Sequence, residues 1–472
     1  MLFLFSMGQL HLAWYYTRNK KKSKPSNIEI NEDEWPKVTV QLPVYNEVYV
    51  IDRLIKAVVN LDYPKHLLEI QILDDSTDET KQKIEELLTE YQSTVDLKHI
   101  RRKHRDGYKA GALQNGLHHS TGDLIAIFDA DFIPERDFLK KTVGEFENLK
   151  IGLVQTRWGH VNQNFSMLTK LQAFGLDAHF SIEQVGRSEA GSFINFNGTA
   201  GIWRKKCIVD SGGWSADTLT EDLDLSYRAQ IKGWKFKYLE EVVAPAELPI
   251  VMSAVKSQQY RWNKGAVETA KKNLRKVLNL NISLINKVHA IFHLLNSSVF
   301  VLILTAAVLS IPMLLIKFSH PGLQILFDIG SIFLVGFLSI GIFYWISSRR
   351  FKSENSLTYF LKMFPSFLTI SMGLSLHNSI AVLEGLFGSK TPFIRTPKFN
   401  VIGSEHSWKG NKYLTYNLTI STFLEGLLSI YFIGGIIIGI LLGDLGLLFF
   451  HIMLAAGFGS VFLYSIIPLK NA

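Results

Sequence analysis

The chain has almost none of the residues that staple a secreted or thiolate-metal protein together. Of its 472 residues one is cysteine, Cys207. That excludes an internal disulfide framework and any multi-thiolate metal site, and a lone thiol of this kind is expected as a small buried packing residue. No G-x-G-x-x-G follows the first predicted strand and no Walker A lysine motif occurs, so dinucleotide oxidoreductases and P-loop ATPases lose their main support. Charge is scarce from residue 288 onward, whereas residues 18–280 carry most of it. A hydrophobic fraction of 47% and a mean hydropathy of +0.14 therefore describe a water-facing part followed by a lipid-facing part. The formal charge is +8, yet no basic helix with interleaved aromatics accompanies it. The basic clusters sit beside apolar segments, so membrane topology accounts for them and nucleic acid is not an expected partner.

A spanning helix needs about 20 mostly apolar residues. Residues 288–316 and 329–348 meet this and form a predicted pair over 288–348. Residues 416–443 and 445–469 form a second pair over 416–469, split by Asp444. Residues 1–17 make a shorter, marginal span, expected as an anchor cut at its start. It has no basic n-region, and Arg18, Lys20, Lys21, Lys22 and Lys24 follow it, which places the polar domain in the cytoplasm. The loop with Lys390, Arg395, Lys398, Lys409 and Lys412 is basic too, so an even number of crossings must separate it from Lys362. The 27 residues 363–389 cannot supply two spans. Residues 364–387, with Ser375, His377, Asn378, Ser379 and Glu384, are therefore expected to lie in the interface or to re-enter, within a unit over 355–412. Five spans result, in an integral membrane protein of an inner or plasma membrane with lipid around it. Glu425 in the second pair is expected to face the bundle interior.

Over residues 36–280 strands alternate with helices. Strands are predicted at 38–42, 68–73 and 124–128, and helices at 48–60 and 78–91; this implies an α/β domain with a largely parallel sheet covered on both faces. Ligands in such sheets bind beyond the carboxyl ends of the strands. Asn46-Glu47, Asp74-Asp75 and Asp129-Ala130-Asp131 all fall there.

Four elements carry chemistry. Asp129 and Asp131 at a strand end offer hard oxygens to Mg²⁺ or Mn²⁺ bridging a diphosphate, although a solvated turn gives the same pattern. Lys109, in Tyr108-Lys109-Ala110-Gly111-Ala112, opens a predicted helix whose N-terminus and ammonium suit phosphate; a solvated lysine is the bland alternative. Thr220-Glu221-Asp222 begins another helix, with Thr220 as N-cap. A carboxylate in its first turn is held ionised by the helix dipole, as a general base requires, though simple capping gives the same sequence. Gln258, Arg261 and Trp262 share a helix face by their i+3 and i+4 spacing, combining an amide, a guanidinium suited to a departing diphosphate, and a ring on which sugar stacks.

In this order and spacing, the four elements resemble the processive membrane synthases of glycosyltransferase family 2: cellulose synthases and, more closely, cellulose-synthase-like mannan and glucan synthases. The resemblance implies a GT-A-type, Rossmann-like domain followed by transmembrane helices. It implies that Asp75 contacts the nucleoside, Lys109 the diphosphate, and Asp129 with Asp131 the metal. Asp222 would be the base, Arg261 would steady the diphosphate, and Trp262 with Gln258 would hold the acceptor. Asn197, Gly198 and Thr199 look like the acceptor-side segment, with Asn197 where many members have cysteine. Phe393-Ile394-Arg395-Thr396-Pro397-Lys398 resembles the family's gating loop, with Phe393, Thr396 and Lys398 at matching positions and Arg395 in place of valine. The expected activity is inverting, metal-dependent transfer of a hexose from UDP-glucose or GDP-mannose to a growing β-linked polysaccharide. Single transfer to a lipid acceptor is the alternative, and a non-enzymatic subunit a more distant one. Partner subunits are not legible.

Overall fold

The computed structural model describes residues 1–19, 35–323, 325, 327, 330, 332–352, 354–388, 391, 394–402 and 418–466. The polar domain is built on one seven-stranded sheet: β1 (Val38–Val44), β2 (Leu68–Asp74), β3 (Asp96–Arg101), β4 (Leu124–Ile127), β5 (Ile151–His160), β6 (Gly201–Arg204) and β7 (Lys235–Ala246), in the order β3-β2-β1-β4-β6-β5-β7. β1, β2 and β4 are apolar and almost wholly buried, the pattern of strands covered on both faces. The helices Ile51–Val59 and Thr80–Tyr91 pack on one face, and Tyr108–His119 on the other together with Cys207. Cys207 is fully buried against Gly152, where a Cβ would come within 2.5 Å of its sulfur. Burial pushes its thiol up to about 12.

The largely parallel sheet expected from the sequence is mixed. β1 runs parallel to β2 and β4, β2 to β3, and β5 to β7, but β6 runs against both β4 and β5. The reversal matters for the site. Because Gly201 opposes Ile127, residues just before β6 come to lie beside those just after β4, and Asn197–Ala200 meets Asp129–Asp131 at one edge. The carboxyl ends of β1 and β2 end level there, Val44 beside Asp74. β3, β5, β6 and β7 were not legible as strands, since their patterns are mixed with polar residues.

Among the described residues three helices are long and apolar enough to cross a membrane: Ser298–Ser319, Ile420–Leu441 and Leu448–Ile466. Ser356–Gly373 and Ser375–Phe387 qualify only together, bent by 50° at their junction. Among the described residues the count by length and composition is three, or four with the bent pair as one span; the five-span expectation also included 1–17 and 329–348, where Leu2–Asn19 and Ile332–Phe351 are helices. Residues 288–297, expected inside a span, belong instead to a separate helix, Leu284–Leu294, and the break after it. His289 and His293 of that helix are buried against the polar domain, through Arg187 and Tyr227. Leu2–Asn19 and Ile332–Phe351 pack along each other, Gly336 passing close to Ser6. Asp444 lies between the apolar helices Ile420–Leu441 and Leu448–Ile466 and pairs with Lys317 at 2.6 Å. Glu425 is buried as expected, and its partner is Lys256 at 2.6 Å, from the long helix Met252–Leu278 of the polar domain.

Candidate active site

One cleft at the sheet's carboxyl edge is lined by residues from many parts of the chain, among them Asp75, Lys109, Asp129, Asp131, Asn197, Gly198, Asp222, Gln258, Arg261, Trp262, Thr396 and Lys398. Asp129 and Asp131 leave β4 at its buried end, so their carboxylates are fixed by a strand that cannot move without opening the core. Each is met by an ammonium: Lys109 Nζ lies 2.5 Å from Asp129 Oδ1, and Lys398 Nζ 2.5 Å from Asp131 Oδ2. Two carboxylates that each hold a cation already fit a hard divalent ion in charge and donor type. No cluster of three or more His, Cys, Asp or Glu side chains placed for a metal occurs among the described residues. A bound Mg²⁺ or Mn²⁺ would therefore draw further ligands from phosphate and water, as Mg²⁺ commonly does.

Lys109 stands in the first turn of Tyr108–His119, as the sequence implies, and also donates to the Gly198 carbonyl at 2.9 Å. Gly198 has a left-handed φ of +81°, and a Cβ there would reach 3.0 Å from Asp222 Oδ2 and 3.5 Å from Lys109 Nζ. Only glycine lets the lysine wall and the Asp222 wall approach so closely. Asn197 lines the cleft beside it. Thr199 does not: it is fully buried, and its Oγ1 accepts from the Asp129 backbone N–H at 2.9 Å. It holds the carboxylate turn rather than a ligand.

The helix Glu221–Ile231 begins where expected, but Thr220 makes no side-chain cap. Its hydroxyl faces Thr269 at 3.3 Å, in a space so tight that Gly265 admits no Cβ. Instead the acidic first turn, Glu221 and Asp222, sits on the unsatisfied backbone N–H groups of the helix start. Burial and the neighbouring Glu221 charge push the Asp222 carboxyl up to about 7, with Lys109 opposing them.

Met252–Leu278 presents Gln258, Arg261 and Trp262 to the cleft together, as their spacing requires. Burial lowers the Arg261 pKa, while Glu221 and Asp129 pull it up. Its guanidinium donates to Thr396 Oγ1 at 2.8 Å and to the Ile394 carbonyl at 3.0 Å. The segment 394–402 thus lies across the cleft mouth. Arg395 pairs with Glu47, and Phe399 is anchored by its N–H to Glu247 Oε1 at 2.8 Å and by burial with Ile250, Val251 and Val401. Thr396 and Lys398 are both at the site; Phe393 lies outside the described residues.

Asp75 is held by Arg102, whose Nε donates to Oδ1 at 3.0 Å. Among the cleft residues left without a role in the sequence reading are Tyr45, Glu47 and Arg105. The first two stand in the polar loop after β1, a signal already visible; Arg105 hides in the basic run Arg101-Arg102-Lys103-His104-Arg105.

Residues 36–265 match the family described as glycosyltransferase like family 2. A probable glucomannan 4-beta-mannosyltransferase 2 of Oryza sativa subsp. japonica is 43% identical over 291 residues, covering 60% of this chain and 50% of that protein. Glucomannan 4-beta-mannosyltransferase 9 of Arabidopsis thaliana is 42% identical over 282 residues, 58% of this chain and 53% of that protein. The chain spans about half the length of these curated relatives. Among solved structures, the mannosyltransferase PcManGT from Pyrobaculum calidifontis, in complex with GDP-Man and Mn²⁺, superposes with a TM-score of 0.52 at 18% identity, over 83% of this chain and 100% of that one. That likeness is one of fold, a GT-A-like mixed sheet with helices on both faces. Residues 36–265 thus carry a glycosyltransferase family 2-like domain, and the strand order and the cleft at the sheet's carboxyl edge agree with that match.

Proposed function

We propose that the chain transfers mannose from GDP-mannose to the end of a β-linked polysaccharide, with inversion at the anomeric carbon and at the cytoplasmic face of the membrane. The observation that carries this reading is the meeting of Asp222 with Lys109 across Gly198. A carboxylate raised toward neutrality faces an ammonium bound to Asp129, one of the two strand-end carboxylates. The names of the relatives, glucomannan 4-beta-mannosyltransferases, favour mannose over glucose.

In this reading Asp222 takes the proton from the acceptor hydroxyl as its oxygen forms a bond to C1 of the donor sugar. The C1–O bond to the diphosphate breaks, and the electron pair leaves with the diphosphate. Lys109 and Arg261 hold that departing charge. A divalent ion held by Asp129 and Asp131 would add positive charge to the same phosphates. Trp262 and Gln258 hold the acceptor sugar, one by stacking and one by hydrogen bonding, and Asn197 borders the same space. An α-linked donor gives a β-linked product. The segment 394–402 closes the cleft, with Thr396 and Lys398 making way for donor. The apolar helices anchor the domain so that the product passes toward the bilayer, which favours repeated addition.

The test is incubation of membranes bearing the chain with labelled GDP-mannose or UDP-glucose and Mn²⁺ or Mg²⁺, followed by linkage analysis. A long β-linked mannan from GDP-mannose is the expected product. Glucose incorporation alone, or a single sugar on lipid, would overturn it.

A further inference from the structure

We propose that Arg105 reads the nucleobase of the donor and selects one with a keto oxygen beside a ring acceptor, as guanine has; this rests on the nucleotide-sugar reading above. Of the five residues in the basic run, Arg101 pairs with Asp74 and Arg102 with Asp75, while Lys103 and His104 face solvent. Arg105 alone turns into the cleft. Its guanidinium lies over the Tyr45 ring, 3.4 Å from the centroid, and 5.0 Å from that of Tyr108. Among the described residues it makes no hydrogen bond or ion pair, and its Nε is enclosed without an acceptor. Guanidinium N–H groups enclosed without a partner are uncommon, and in a ligand cleft the missing partner is the ligand.

The turn carrying it is built to stay put. Arg102 donates to the Asp106 carbonyl at 2.8 Å and to that of Tyr108 at 3.0 Å while holding Asp75. Gly107 and Tyr108 both take left-handed φ values, +67° and +49°. One side chain therefore ties the Arg105 turn to the Asp75 carboxylate, so a donor-only group and an acceptor-only group share one end of the cleft.

Arginine donates and never accepts. It meets O6 and N7 of guanine with two hydrogen bonds at once, whereas adenine presents an amino group where O6 would be. Asp75 keeps lone pairs that Arg102 does not use, and they match the N1–H and amino N–H groups on the other edge of guanine.

The full chain in detergent is titrated with GDP, IDP and ADP in the presence of Mn²⁺. Wild type should bind GDP and IDP about tenfold or more tighter than ADP. In Arg105→Met that preference should vanish through weaker GDP and IDP binding, with ADP binding unchanged. Arg105→Lys keeps a cation against Tyr45 without the planar fork; it should bind ADP like wild type and lose part of the preference, which separates base reading from a folding defect. An undiminished GDP preference in Arg105→Met overturns the proposal. A wild-type chain that binds none of the three overturns the donor reading beneath it, a different result.

Discussion

Asp222 is the residue proposed above as the general base. Asp222→Asn should cut sugar transfer by about a hundredfold or more, read as initial rate with donor saturating. With the carboxyl titrating near about 7, kcat/KM should fall about tenfold for each pH unit below that point. The same shift bears on stability. The folded state raises the pKa above its usual value, so the carboxyl is no burden at low pH, and stability is lost as pH rises toward about 7. Asp222→Asn should therefore raise Tm, by more at pH 8 than at pH 4; a rise independent of pH would remove burial as the cause. Asp222, Lys109 and Arg261 were legible from helix starts and i+4 spacing. Thr199 was misread and Arg105 missed, because nothing in a one-dimensional pattern tells which polar residue faces the cleft.

At the scale of elements, the segment 394–402 and the helix Met252–Leu278 act on the cleft from outside the sheet. Lys398 sits on Asp131, so a divalent ion bound there would have to displace it. Lys398→Met should lower the metal concentration for half-maximal nucleotide binding by several-fold, about the size of one charge-assisted contact, in a Mn²⁺ titration; an unchanged midpoint would show that the lysine does not compete. Met252–Leu278 is fastened to the apolar helices by Lys256 and Glu425. Glu425→Leu alone should destabilise by about 3–5 kcal/mol, because it strands the buried ammonium, whereas Lys256→Met with Glu425→Leu should recover most of the loss. Thermal unfolding of the two variants in detergent measures the difference. β1, β2 and β4 could be read from their uninterrupted apolar runs. The antiparallel β6 could not, since a four-residue strand carries too short a pattern to reveal its direction. That strand is what brings Gly198 to Asp129.

For the whole molecule, the division into a polar domain and apolar helices was plain from where the charges stop. The boundary itself was not, because Leu284–Leu294 is apolar enough to be taken for the start of a span and yet packs on the polar domain through His289 and His293. With the polar domain at the cytoplasmic face, as proposed, a membrane-crossing Ser298–Ser319 would put His320 on the opposite side. Cys207 makes the orientation easy to read. The chain's single thiol is sealed in the core and held protonated up to about 12, so it is silent toward maleimides, which react with the nucleophilic thiolate. The natural sequence is therefore already a blank for single-site labelling. A cysteine placed at exposed Leu149 should react with an impermeant maleimide only after cells are opened, and one at His320 should react in intact cells. The same blank accepts a pair of fluorophores across the cleft mouth, turning the docking of residues 394–402 into a distance that can be followed in time.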